Sequence, residues 1–142
     1  MPLSRTSIAF SLLLALCACS ASPPKGQILS EAQVTHAQPW PTARSAAPDA
    51  PPQILAVQLN ETTIAGGDRW RGRIATSTNV ASVEVRTESF SFTAHRTAFG
   101  QYAFEVHVLD MLPQYRRGYT LQIIARNTAG RRAERFIPIR FR

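Results

Sequence analysis

Apolar and polar side chains alternate in short runs from about residue 53 to the end of the chain. Ile54–Leu59 opens the series as a short apolar run behind Pro51 and Pro52, and Ala65-Gly66-Gly67-Asp68 reads as a turn. In Trp70–Thr76, Trp70, Gly72, Ile74 and Thr76 fall on one face, with Arg71, Arg73 and Ala75 on the other. Thr78-Asn79 breaks the run, and Val80–Thr87 follows with Val83 and Val85 in phase against Glu84 and Arg86. Phe90 and Phe92 share a face of the next run, which Phe99-Gly100 turns back. Tyr102, Phe104, Val106 and Val108 then alternate with Ala103, Glu105, His107 and Leu109. Beyond Leu112-Pro113 and Gly118, the residues Tyr119, Leu121, Ile123 and Ala125 line up. Asn127 to Gly130 turns the chain, and Ala133–Phe141 closes the set with Ile137, Ile139 and Phe141 in phase.

A side-chain period of two means a strand with one buried face. Seven such strands with regular turn signals predict an all-β sandwich or barrel, and no comparable window carries a helical period. Pro138 has no N–H to give a ladder, so the last strand is expected to be an edge or to carry a bulge.

GYTLQIIARNTAG, Gly118 to Gly130, resembles the penultimate strand of fibronectin type III and bacterial immunoglobulin-like domains. The resemblance implies a single seven-stranded immunoglobulin-like β-sandwich over residues 53–142. It implies that Tyr119 is a corner tyrosine bonded to backbone near the preceding loop, and that Trp70 fills the core between sheets. No pair of cysteines bridges the sheets, which sets antibody-type domains apart. The fold hosts many unrelated functions and assigns none.

The N-terminal segment reads differently. Arg5 precedes an apolar run, Ile8 to Leu16, that is too short to span a bilayer but fits the apolar core of a secretory signal. Ordinary signal cleavage would use small residues at spaced positions, Ala18 and Ser20 or Cys19 and Ala21. Leu16-Cys17-Ala18-Cys19 also resembles a bacterial lipobox. That resemblance implies a signal peptide over residues 1–18, cleavage before Cys19 and a lipid on Cys19. The expected location is then the cell envelope, or outside the cell if the ordinary cut is used. Both cysteines of the chain lie here, so the folded domain holds no disulfide.

Residues 19–52 carry seven of the ten prolines and few apolar side chains. Such a stretch is expected to be a flexible Pro-rich linker. Its reach would be roughly 30 Å as a coil and roughly 100 Å if fully extended as polyproline. A short turn or helix over Ile28 to Val34 and docking of Trp40 on the domain are the alternatives to a fully solvated tether.

The domain is poor in catalytic groups. His95 and His107 fall on the polar phase of neighbouring strands, with Glu105 beside them, and a hairpin would let the three approach one another. Zinc-ligand spacings, phosphate loops and nucleophile motifs are missing. Asp68 and Asp110 sit in turns, where Asp serves the backbone. The expectation is a non-enzymatic chain with no cofactor and no metal.

Charge is the more suggestive feature. Fifteen of the 16 basic residues are Arg, from GC-rich codon usage or from an anion-binding surface. From Pro51 onward there are 13 Arg against 7 carboxylates, a net of +6. Arg69, Arg71 and Arg73 line one side of a strand, and Arg116, Arg117, Arg131 and Arg132 sit in loops flanking the Tyr119 strand. Some of these are expected to converge at one end of the sandwich. The partners expected are a membrane, through the lipid, and an envelope protein or anionic glycan. Nucleic acid is not expected, since no nucleic-acid motif occurs.

Overall fold

The computed structural model describes residues 26–142. In chain order the elements are β1 (Gln27–Ile28), α1 (Glu31–Thr35), β2 (Ile54–Leu59), β3 (Thr63–Ile64) and β4 (Arg69–Thr76), then β5 (Val80–Arg86), β6 (Ser91–Ala98), β7 (Gln101–His107), β8 (Gly118–Asn127) and β9 (Arg132–Phe141). The strands form one curled sheet in the order β1-β9-β8-β5-β6-β7-β4-β2, with β3 also on β9. β1 and β3 run parallel to β9, and every other pair is antiparallel. The domain is therefore all-β. Among the described residues there are nine strands rather than seven. The two extra ones are two residues long, too short to carry a period.

β6 makes the sheet curl. Its first half, Ser91–Ala94, pairs with β5, and its second half, His95–Ala98, pairs with β7. The two inner faces then meet. Trp70 on β4 is 1% exposed, and its ring meets Phe104 at 5.1 Å and Phe141 on β9 at 6.5 Å, both edge-on. Leu121, Ile123, Ile137 and Ile74 complete the dry centre. Truncating a buried Trp of this kind costs about 3–5 kcal/mol. Where β6 leaves β5, two carbonyls of β5 lose a strand partner. The Arg96 guanidinium donates to Val80 O at 3.2 Å and Ala81 O at 3.4 Å, and the Tyr102 hydroxyl donates to Val80 O at 2.8 Å. The gap in the ladder is thus closed by side chains.

Pro138 shows how the chain accommodates a missing donor. On β9, Phe136 O accepts from Leu29, and the Arg140 and Arg142 amides donate to Thr62 O and Ile64 O. Even-numbered backbone groups of β9 therefore face away from β8. Pro138 falls between the stretches paired with β1 and β3. Its absent N–H faces that gap, so the β8 ladder loses nothing.

The expected free linker over 19–52 does not hold for residues 26–52, which lie on the domain. Ser30 caps α1 in a reciprocal box with Gln33, and Val34 is fully buried. Thr78 N donates to Arg44 O at 2.8 Å. Asn79 Nδ2 donates to Ala47 O and Ala50 O, and Asn127 Nδ2 to Pro48 O and Ala50 O. The segment is poor in apolar groups, but two asparagines of the domain satisfy its backbone, and its prolines lower the entropy lost on ordering. Cys19 and the signal-like segment lie outside the described residues.

Candidate functional site

The outer face of β2, β4, β7 and β6 carries the polar phase of four strands. In register, Gln58 lies opposite Arg73, Arg73 opposite Ala103, and Ala103 opposite His95. One step down, Arg71 lies opposite Glu105, and Arg69 opposite His107. Ala103 is the small residue in the middle. The larger side chains around it rim a shallow depression of about 470 Å³ lined by Gln58, Asn60, Arg71, Arg73, His95 and Glu105.

Charge on this face is unbalanced. Glu105 is the one carboxylate among three arginines, and its Oε1 is 3.5 Å from Arg69 Nη1 with both side chains exposed. A pair that long and that exposed contributes little. Arg73 is held instead by neutral groups. Its Nε donates to Gln58 Oε1 at 2.6 Å, and its guanidinium carbon lies 4.1 Å from the Trp40 ring centre. Trp40 is fixed in turn, donating from Nε1 to Gln101 Oε1 at 2.7 Å, while Gln101 Nε2 donates to Pro41 O. The backbone of Arg71 is pinned by Asn60 Oδ1 at 2.8 Å, and its guanidinium has no hydrogen bond or ion pair among the described residues. The face therefore offers one positioned guanidinium, one uncommitted guanidinium, an aromatic ring and neutral amides.

The other arginines do not join it. Arg116 and Arg117 precede β8, and Arg131 and Arg132 follow it, at opposite ends of a ten-residue strand. That separation is about 30 Å, so these two loop pairs do not lie together. Arg117 pairs with Glu88 at 2.5 Å and lies over Tyr119, whose hydroxyl donates to Tyr115 O at 3.2 Å. The hydrogen bond at Tyr119 and the charge of Glu88 hold the Arg117 proton more firmly than usual. Arg116 donates to Met111 O, and Arg132 lies 3.1 Å from Glu134. Arg126 pairs with Glu84 at 2.7 Å, and that carboxylate is also 4.0 Å from Arg86. His95 and His107 are set apart by the register, and no group of three His, Cys, Asp or Glu gathers among the described residues.

Sequence reasoning placed Arg69, Arg71 and Arg73 together but missed Gln58, Asn60 and Gln101. It left docking of Trp40 open as the alternative to a solvated linker aromatic. The available signal was a tryptophan between two prolines, a residue type and a setting that favour docking over free motion.

No protein-family model matches the chain, and no curated protein does. Among solved structures, a DUF4785 family protein from Legionella pneumophila aligns over 60% of this chain at 11% identity and a TM-score of 0.49. The chain spans 27% of that protein's length. A structure of Clostridium thermocellum CbhA fibronectin(III)-like modules aligns over 60% of this chain and 93% of its own, at 18% identity and a TM-score of 0.45. The all-β assignment stands on this chain's own strand order and register. No helix among the described residues is long and apolar enough to cross a membrane.

Proposed function

We propose that this chain is a non-catalytic, immunoglobulin-like binding module held at a cell-envelope membrane by a lipid on Cys19. We further propose that the outer face around Arg71, Arg73 and Trp40 takes an anionic glycan. The single observation that carries the ligand class is the excess of guanidinium over carboxylate beside a fixed aromatic ring. Sugars stack on aromatic faces through C–H groups, and their carboxylates or sulfates are forked by Arg.

Strand order supports the immunoglobulin reading. Leaving the two short strands aside, β2, β4 and β7 occupy one layer, and β5, β8 and β9 the other. Lettered in sequence these are A, B, E and C, F, G, a grouping similar to the immunoglobulin one except that β6 is bonded to both. The docked segment also changes the anchor. Six residues, Ser20 to Lys25, separate Cys19 from Gly26, a reach of at most about 25 Å. The lipid would hold the module against the membrane, not on a long tether.

Two measurements test this. Mass spectrometry of the mature N-terminus should find a lipid on Cys19, and an unmodified start at another residue removes the anchor. On a polyuronate or sulfated-glycan resin, the protein should elute with rising salt, and Arg71→Ala should elute earlier. Identical elution of the two proteins removes the glycan face.

A second reading, a docking subunit of an envelope assembly, is favoured by one observation. Leu109, Leu112 and Tyr115 are 75%, 59% and 48% exposed in one loop. A stoichiometric complex that survives high salt would decide for it, since apolar contacts are not screened.

A further inference from the structure

Arg135 occupies a position where a cation is costly. β9 sends Ala133, Arg135, Ile137, Ile139 and Phe141 toward the core, and Arg135 stands opposite the fully buried Ile123. The guanidinium is half-buried, and burial pushes its pKa below the ordinary Arg value. No carboxylate pairs with it among the described residues. The adjacent Glu134 lies on the opposite phase of the strand, with its buried Oε1 3.1 Å from Arg132 Nε but without hydrogen-bond geometry. Arg135 donates only to carbonyls, from Nη1 to Glu134 O at 2.9 Å and from Nη2 to Ile54 O at 3.1 Å.

The second of these bonds crosses the seam of the curled sheet, from β9 to the terminal strand β2. Segment 26–38 closes that seam, with β1 on β9 and α1 against β2. Under it lies a cavity of about 240 Å³ lined by Gln27, Gln33, Gln38, Leu55 and Arg135. A larger one of about 850 Å³ adjoins it past Gly26 and Pro52, sharing Gln27, Ile54, Leu55 and Arg135 with the first. The lining of the smaller cavity holds no acid, and Glu134 lines only the larger one, together with Arg132. Gln33 accepts through Oε1 from Ser30 N and Oγ, so the group it has left to offer is its amide N–H₂.

We propose that Arg135 and the amides of Gln27, Gln33 and Gln38 form a binding site for a small oxyanion, a carboxylate or phosphate group. A guanidinium carries five N–H groups, two of which are committed to carbonyls here. An oxyanion accepts such N–H groups with charge assistance, and the amides complete its shell. The ligand would lie between the N-terminal segment and the domain, so occupancy would tighten the docking of residues 26–38. The site is on a different surface from the glycan face and does not depend on it.

The test uses the wild-type protein, with segment 26–52 intact. Inorganic phosphate and acetate are titrated separately at constant ionic strength while the Nε–Hε NMR signal of Arg135 is followed. A saturable shift at Arg135, absent from the exposed arginines, is the expected result with either ion, and the ion that saturates identifies the group bound. Hydrogen exchange at Leu29 and Val34 should slow as the site fills. Arg135→Lys keeps the charge but not the fork, and should weaken binding at least tenfold. A linear drift shared by all arginines in both titrations overturns the site, since it reports screening alone. Glycan retention lost while Arg135 still saturates would remove only the proposed function.

Discussion

The guanidinium carbon of Arg73 lies 4.1 Å from the centre of the Trp40 ring, and this contact joins the N-terminal segment to the outer face of β4. The Trp40 indole N–H donates to Gln101 on β7, so one side chain touches two strands of the face. A cation–π contact of this kind contributes about 0.5–2 kcal/mol, and the hydrogen bond about 1 kcal/mol. Trp40→Ala should therefore lower stability by about 1–2 kcal/mol in urea unfolding. Amides of residues 42–50 should exchange before those of β8. Unchanged exchange in that segment would show that Trp40 does not hold it.

Val34 is the buried residue of α1, a helix too short to persist in water alone. Val34→Ala removes two methyl groups from a closed site and should cost about 1.5–2.5 kcal/mol. Limited proteolysis should then cut within residues 26–38 while leaving residues 53–142 intact.

Gly72 sits on the core phase of β4, where a Cβ would collide with the Phe104 ring and Leu59. Phe104 in turn packs on Trp70 and Phe92, so it has no room to retreat. Gly72→Ala should destabilise the domain by about 1–3 kcal/mol, read as a lower urea midpoint at unchanged slope.

Arg71 and Arg73 should separate binding from folding. Arg71 has no committed side-chain partner, so Arg71→Ala should weaken glycan retention with stability unchanged within about 0.5 kcal/mol. Arg73→Ala loses the Trp40 ring and Gln58 together, and should weaken both. Parallel salt-gradient elution and urea unfolding of the two variants check the split.

Burial, and then the nearby charge of Asp68, raise the Glu61 carboxyl above its ordinary 4.5, against the pull of Arg142 and a hydrogen bond from Asn60. A raised folded-state value means that ionised Glu61 opposes folding at neutral pH. That penalty fades as pH falls through the raised value toward the ordinary one. Glu61→Gln should thus be slightly more stable than wild type at pH 7, with the difference shrinking as pH falls through the raised value and lost below about pH 4.5. Thermal unfolding across that range reads the sign directly.

The strands were legible because alternation is local. A residue's phase, as in Tyr119, Leu121, Ile123 and Ala125, is set by its neighbours two positions away, and the sheet then buries that face. β1 and β3 were not legible, since two residues carry no period and their pairing depends on where β9 passes. The arginines of β4 were grouped correctly because they share one strand. The two loop pairs flank β8, and its length sets them apart.

Sequence alone determined the seven longer strands, their buried phase and the excess of Arg. Tertiary structure decided that the proline-rich segment lies on the domain, that Trp40 completes the β4 face, and that Arg135 points into a seam. The physical reason is range. A period of two is written in adjacent residues, whereas docking of a segment with little apolar surface depends on carbonyls met by Asn79 and Asn127 and on a ring met by Arg73, partners that only folding brings within reach.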